Sequence, residues 1–227
     1  MSMLGTAALA MWWDMSTSRR SEFEDWHTHE HFPERLGVHG FRRASRWMSA
    51  NGGEGVFVMY ELEDYEVLGS GAYTARLNAP SPWSTKMMPE HRNMVRSQCR
   101  VLESAGFVTT RYALTIRVSP SPGALDPLRA AIRGLGEGVA QRRGLAGLHM
   151  LRHETPPIAS TTEQRIRRNA DRTADCVVIA VGYELESLQS LSEGDLCEQS
   201  LIRMGAASNT ERGLYSLSCS AIPGDVA

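Results

Sequence analysis

The stretch Trp26-His27-Thr28-His29-Glu30-His31-Phe32-Pro33-Glu34-Arg35-Leu36 decides how this chain is read. It packs three histidines and two acids into eleven residues of a chain that has only seven histidines. On an α-helix, His27 and His31 lie one turn apart and Glu30 follows His27 by three residues, so all three project from one face. His29 falls on the opposite side. A face of imidazole, carboxylate and imidazole can bind a metal, move a proton or hydrogen-bond within a polar core.

Working outward, the segments on either side fall into a repeated order. Residues 7–15 read as a buried strand, and a helix opens at Ser21, where Ser21-x-x-Glu24 has the capping-box pattern, and runs to about His31. Pro33 ends that helix and suits the first position of a new turn, Pro33-Glu34-Arg35-Leu36. Strands follow at 40–48 and 55–62, joined by the turn-rich Ser49-Ala50-Asn51-Gly52-Gly53. Helical stretches are expected over 65–77 and 85–94, then a strand near 95–102. In the second half, strands at 112–118, 145–153, 176–183 and 214–222 alternate with helices over 125–142 and 188–204. A long polar loop spans 154–175.

Each half therefore has the order β-α-β-β-α-β. The expected fold is α+β: two tandem ferredoxin-like units, 1–105 and 106–227, whose antiparallel sheets face each other as an α/β barrel. Two sheets with helices on one side each leave a bare apolar face, and closing on one another covers both. The space between the sheets is the expected small-molecule pocket.

Composition narrows the function. The apolar share of 42% and charged share of 22% suit a globular chain with a real core. A net charge of −2 gives no electrostatic footprint for nucleic acid or anionic lipid. The run Arg165-Ile166-Arg167-Arg168 reads as a solvated loop. Cys99, Cys176, Cys197 and Cys219 form no C-x-x-C pair and read as reduced thiols. The apolar start lacks a basic segment and is interrupted by Asp14, so a cytoplasmic protein with no membrane span is expected.

The pattern Trp26-His27-x-x-Glu30-His31-x-Pro33-Glu34-Arg35-Leu36, followed by Gly40-Phe41-Arg42-Arg43-Ala44, resembles the dimeric α/β-barrel superfamily, closest to its EthD-like and stress-responsive branches. Tyr60-Glu61-Leu62, Ser70-x-x-Tyr73 and Asn78-Ala79-Pro80-Ser81-Pro82-Trp83 are similar to later signatures of that group. The likeness covers the first half by motif and the second by element order alone. It implies the fold. It does not imply the chemistry, because the superfamily includes haem-dependent enzymes, cofactor-free monooxygenases, lactone isomerases and cyclases.

The candidate site residues are His31, Glu30, His27, Tyr73 and Arg35. His31 is the expected general acid/base, Glu30 its orienter and His27 a second proton carrier. Arg35, or Arg92, suits a substrate carboxylate, and Tyr73, Trp83 and Trp47 offer a phenol and flat walls. The expected activity is cofactor-free isomerisation, elimination or hydrolysis of a small cyclic or aromatic compound, with a homodimer compatible with the chain. His-x-x-Glu-His also fits an inverted zinc-protease pattern. Pro33 argues against it, and no metal is expected, although His149, His153 or Glu154 could supply a third ligand. The alternatives are a non-catalytic binding or stress-associated barrel, with both imidazoles turned away from the pocket and satisfied, or a metal- or haem-dependent enzyme, with His149 or His31 on the iron.

Overall fold

The computed structural model describes residues 3–156, 159–168 and 171–226. Four positions of the long polar loop, 157, 158, 169 and 170, lie outside them.

Strand β1 (Ala7–Asp14) enters the sheet first. A 3-10 turn, Thr17–Arg19, leads into α1 (Arg20–Trp26), so the helix starts before Ser21 and no side chain caps it. A π turn, His27–His31, then joins α1 to α2 (Phe32–Leu36), with Pro33 in its first turn, where a missing N–H costs nothing. Strands β2 (Phe41–Ser49) and β3 (Gly55–Leu62) follow. The helix expected over 65–77 is split: Glu66–Gly69 is 3-10, and Ser70 caps a new helix, α3 (Gly71–Asn78), by accepting from the Tyr73 N–H. Helix α4 (Pro82–Met87) ends in a 3-10 turn, and β4 (Arg92–Gly106) is longer than expected at both ends.

The second unit comprises β5 (Tyr112–Val118), α5 (Leu125–Val139), β6 (Leu145–His153), α6 (Thr162–Ile166), β7 (Cys176–Gly182), α7 (Leu185–Glu193), α8 (Glu198–Met204) and β8 (Glu211–Ala221). The single helix expected over 188–204 is two, separated at Gly194. Helix α6 interrupts the expected loop and carries a Thr161/Gln164 capping box.

The strands close into a barrel in the order β1-β3-β2-β8-β5-β7-β6-β4, every neighbouring pair antiparallel. Each unit contributes four adjacent strands in one ferredoxin-like order. The seams are β2 with β8 and β4 with β6. At the end of β4, Gly106 takes φ +76°, and a Cβ there would meet the Ala146 carbonyl oxygen at 2.1 Å. Only glycine fits that turn. One chain thus closes the barrel without a partner.

Alternation along the strands divides the core into three layers. Leu9, Met11 and Trp13 face α1–α4, while Ala8, Ala10 and Trp12 face the lumen. Leu114, Ile116 and Val118 pack beneath α5, α7 and α8. The lumen is full: Phe57 stacks between Trp12 (centroids 5.1 Å) and Trp47 (5.0 Å), against Met59, Leu151, Val177, Ile179 and Tyr215. The Trp12 indole donates to Thr115 Oγ1 at 3.0 Å. The expected pocket between the sheets is therefore absent among the described residues, because large aromatics fill the space that smaller side chains would leave open. No helix is long and apolar enough to cross a membrane among the described residues.

Candidate active site

The polar cluster lies on the other side of the first sheet, beneath the helices. Its floor is Leu9, Met11 and Trp13 of β1, Tyr60 of β3 and Met94 and Arg96 of β4. Its walls are Trp26, His27, His31 and Arg35, with Tyr73, Met88 and His91, and Glu163 and Arg167 form the roof. The enclosed volume is about 30 Å³, room for about a water or two.

The π turn sets the geometry. The Phe32 N–H reaches back five residues to the His27 carbonyl, so side chains five apart come nearly into line. Trp26 packs against His31 (centroids 4.6 Å) and His27 against Phe32 (4.3 Å), with the two imidazoles stacked at 5.3 Å. Both imidazoles are buried and both Nδ1 atoms lack a hydrogen-bond partner. They line the chamber, and no partner offsets the burial of either Nδ1, which is unusual for a buried polar group.

Glu30 is not the orienter of His31. It accepts from Trp26 Nε1 at 3.0 Å, from the Ser81 hydroxyl, and from Ser84 at 3.4 Å. It thereby pins the π turn to the start of α4, whose cap is Ser81. An ordinary α turn would have kept Glu30 beside His27, and the wider turn removes it.

Tyr73 is buried on α3 and its hydroxyl accepts from Arg96 Nη2 at 3.0 Å. Arg35 is buried, lies 5.8 Å from the centre of the Tyr73 ring and is ion-paired with Glu163. The other candidates are elsewhere. Arg92 is exposed and paired with Glu54. Trp83 packs on the edge of the first helical layer, and Trp47 is in the lumen.

Sequence reading missed four members: His91, Arg96, Glu163 and Arg167. His91 stacks on Trp13 at 4.5 Å, with neither ring nitrogen partnered. Its signal was topological, since pairing β1 with β4 in the register Asp14↔Arg92 sets His91 beside Trp13. The run expected to be solvated is only partly so: Arg167 is largely buried, bound to Asp171 and 3.8 Å from Glu163.

All three imidazoles are held neutral. Burial first, then Arg46, His91 and Arg35, push His27 well below the usual imidazole range. His31 is lowered by burial, then by Arg35, His27, His91 and Arg167. His91 falls to about 3 through burial and Arg167. The Tyr60 phenol, also unpartnered, is pushed up by burial.

The residues do not fit a metal or a haem. No group of three or more His, Cys, Asp or Glu donors is placed to hold a metal ion among the described residues. Glu154 binds Arg100 and His153 binds the Gln98 backbone, so neither joins the chamber. His149, fully buried, engages Ser104 through Nδ1 (2.9 Å) and the Phe107 carbonyl through Nε2 (2.7 Å), leaving no nitrogen for iron. As closed by α6, the chamber beside His31 has no room for a porphyrin. A larger open cleft of about 540 Å³, lined by Asn51, Gln189, Arg212 and Tyr215 among others, has no imidazole or carboxylate.

No family model matches the chain, and no curated protein matches it by sequence. Solved structures do. An anthrone oxidase-like protein superposes with TM-score 0.64 at 9% identity, over 100% of this chain and 98% of its own. A candidate monooxygenase from Fusobacterium nucleatum gives 0.61 at 10%, over 97% and 96%. A candidate chlorite dismutase gives 0.50 at 14%, over 97% and 98%. The expectation of a cofactor-free isomerase, lyase or hydrolase is corrected by these neighbours, which carry oxidative names, and by the missing His31–Glu30 couple. At such identities the likeness establishes the architecture alone, a closed eight-stranded barrel of ferredoxin-like units.

Proposed function

We propose that the chain is an oxygen-consuming oxidase or monooxygenase of small, electron-rich aromatic compounds, acting in the chamber beneath α1–α4. The observation that carries it is the set of neutral imidazoles, His27, His31 and His91, with unpartnered nitrogens in an aromatic chamber rich in guanidinium groups. A neutral imidazole takes a proton from an acidic methylene or phenol, and nearby arginines stabilise the resulting anion. That anion is the electron source for dioxygen. Overall an aryl-flanked CH₂ plus O₂ gives C=O plus H₂O, with the substrate supplying every electron. The names of the structural neighbours favour this class.

His31 is the proposed base, with His27 and His91 as proton carriers and Tyr73 and Arg35 as substrate contacts. Glu30 positions the turn. The EthD-like placement rests on the Trp26 to Leu36 pattern and the Gly40-Phe41 that follows. The division into 1–105 and 106–227 is supported by the required glycine at 106. A tricyclic substrate exceeds the enclosed volume, so entry displaces the α6 roof.

The test is oxygen uptake with anthrone as probe. Enzyme-dependent consumption of one O₂ per quinone formed, slowed in His31→Gln, is expected. Uptake no faster than without protein would overturn the proposal.

A further inference from the structure

The charges around the chamber do not balance. Arg35, Arg96 and Arg167 line it, and Arg46 stands behind His27. Arg167 has Asp171, and Arg35 has Glu163. Arg96 is 7% exposed and Arg46 3% exposed, yet neither has a carboxylate within 4 Å among the described residues. Arg96 donates to the Tyr73 hydroxyl oxygen, and Arg46 to Glu24 backbone oxygen and to the hydroxyls of Thr28 and Ser218. Buried cations without counter-charges are costly, and an anion entering the chamber relieves that cost.

One anion is already seated, and it comes from the other unit. Glu163 lies on α6, in the β6–β7 connection, and reaches 128 residues back to Arg35. It is itself 4% exposed. Among the described residues, other contacts also hold this roof: the Thr162 N–H and hydroxyl donate to Asn78 Oδ1 at 3.0 and 3.4 Å, Arg167 Nη1 lies 4.0 Å from Met88 Sδ, Ile166 packs on the first core layer, and Arg172 bridges to Met94 and Arg96 through backbone bonds. Arg35 Nη1 has no partner, so the guanidinium has not used its full fork.

We infer that Glu163 is a built-in stand-in for the ligand's carboxylate, so that the chamber takes an aromatic carboxylate whose charged end replaces Glu163 on Arg35 while its ring lies among Trp26, Tyr73 and the imidazoles. The inference rests on the chamber being the substrate site and adds its substrate class. Arg96, Tyr73 and the free Arg35 Nη1 form the rest of the anion seat. Displaced, Glu163 carries α6 away and opens the room that a ring needs. An aromatic that neither carries nor forms an anion would have to break the Arg35–Glu163 pair and leave Arg35 unpaired.

Titration calorimetry with 2-naphthoate and its neutral counterpart 2-naphthamide tests this. In Glu163→Gln, naphthoate affinity should rise roughly tenfold or more over wild type while naphthamide affinity stays constant. Equal naphthoate affinity in both proteins, an equal gain for the amide, or no naphthoate binding in either would overturn it. Should the variant fail to fold, wild-type protein carries the test: naphthoate, and not naphthamide, should speed tryptic cleavage after Arg165, Arg167 and Arg168. An unchanged rate would overturn the inference as well. Because the readout is binding, the two readings fail separately. Naphthoate bound as stated by a protein that oxidises nothing rejects the oxidase, and oxidation of anthrone without naphthoate binding rejects the stand-in.

Discussion

His91 stacks on Trp13 with ring centroids 4.5 Å apart and planes 26° from parallel, at the point where β4 begins beside the end of β1. The contact seals both imidazole nitrogens although part of the residue stays exposed. A histidine sealed in this way must remain neutral to remain folded.

That requirement sets a pH dependence. The folded pKa of His91 is about 3, and those of His27 and His31 also lie well below the ordinary value. Unfolded imidazoles titrate near 6.5, so below about 6.5 the unfolded chain binds more protons than the folded one. Stability is therefore fully present above that pH and declines as pH falls toward about 3, by up to ~1.4 kcal/mol per pH unit for each such group. Urea midpoints between pH 7.5 and 4.5 should fall, and His91→Phe should flatten the decline. An identical slope in the variant would count against a sealed His91.

Glu30 gives a prediction of a different kind. Its carboxylate accepts from Trp26, Ser81 and Ser84, and makes no bond to His31. Glu30→Ala leaves those donors without their partner and should cost about 1–3 kcal/mol in urea unfolding, whereas Glu30→Gln, which keeps an acceptor, should recover part of it. Loss of oxygen uptake in Glu30→Ala with stability unchanged would instead return Glu30 to the chemistry.

The filled lumen predicts a large, local penalty. Phe57 lies between the rings of Trp12 and Trp47. Phe57→Ala should lower stability by about 3–5 kcal/mol while leaving any anthrone oxidation of the folded fraction intact, since the chamber is on the opposite face of the sheet. A variant that stays stable but stops oxidising would move the site into the barrel.

The barrel was legible because strand patterns are local: residues 7–15 read as one buried strand and residues 112–118 alternate as another. The repeated order then made two sheets that need covering. What the alternation does not carry is volume. Trp12, Trp47 and Phe57 come from three strands, and only the closed register shows that together they fill the lumen. The π turn was hidden because its backbone dihedrals are ordinary helical ones and the α and π readings of His27 to His31 share the same residues. His27, His31, Tyr73 and Arg35 stand out in the sequence as aromatic and charged residues at helical spacing, and the fold lines one chamber with them. Glu163 does not stand out, because its partner is 128 residues away and nothing in a polar loop marks one acid for burial.

The base itself is best tested through pH. His31 must be neutral to accept a proton, and burial together with Arg35 keeps it neutral in the free protein well below the ordinary imidazole range. Activity should accordingly persist into mild acid, and kcat/KM should be lost only as pH falls through that lowered value. A bound carboxylate or substrate anion places negative charge beside His31 and favours the imidazolium, so the acid limb of kcat should lie at higher pH than that of kcat/KM. His31→Ala should reduce turnover by about 10²–10⁴ and erase the limb, with His31→Gln folding as the wild type does. Profiles of oxygen uptake from pH 4.5 to 8.5 decide it. Coincident limbs, or a limb that survives in His31→Ala, would transfer the role to His27 or His91.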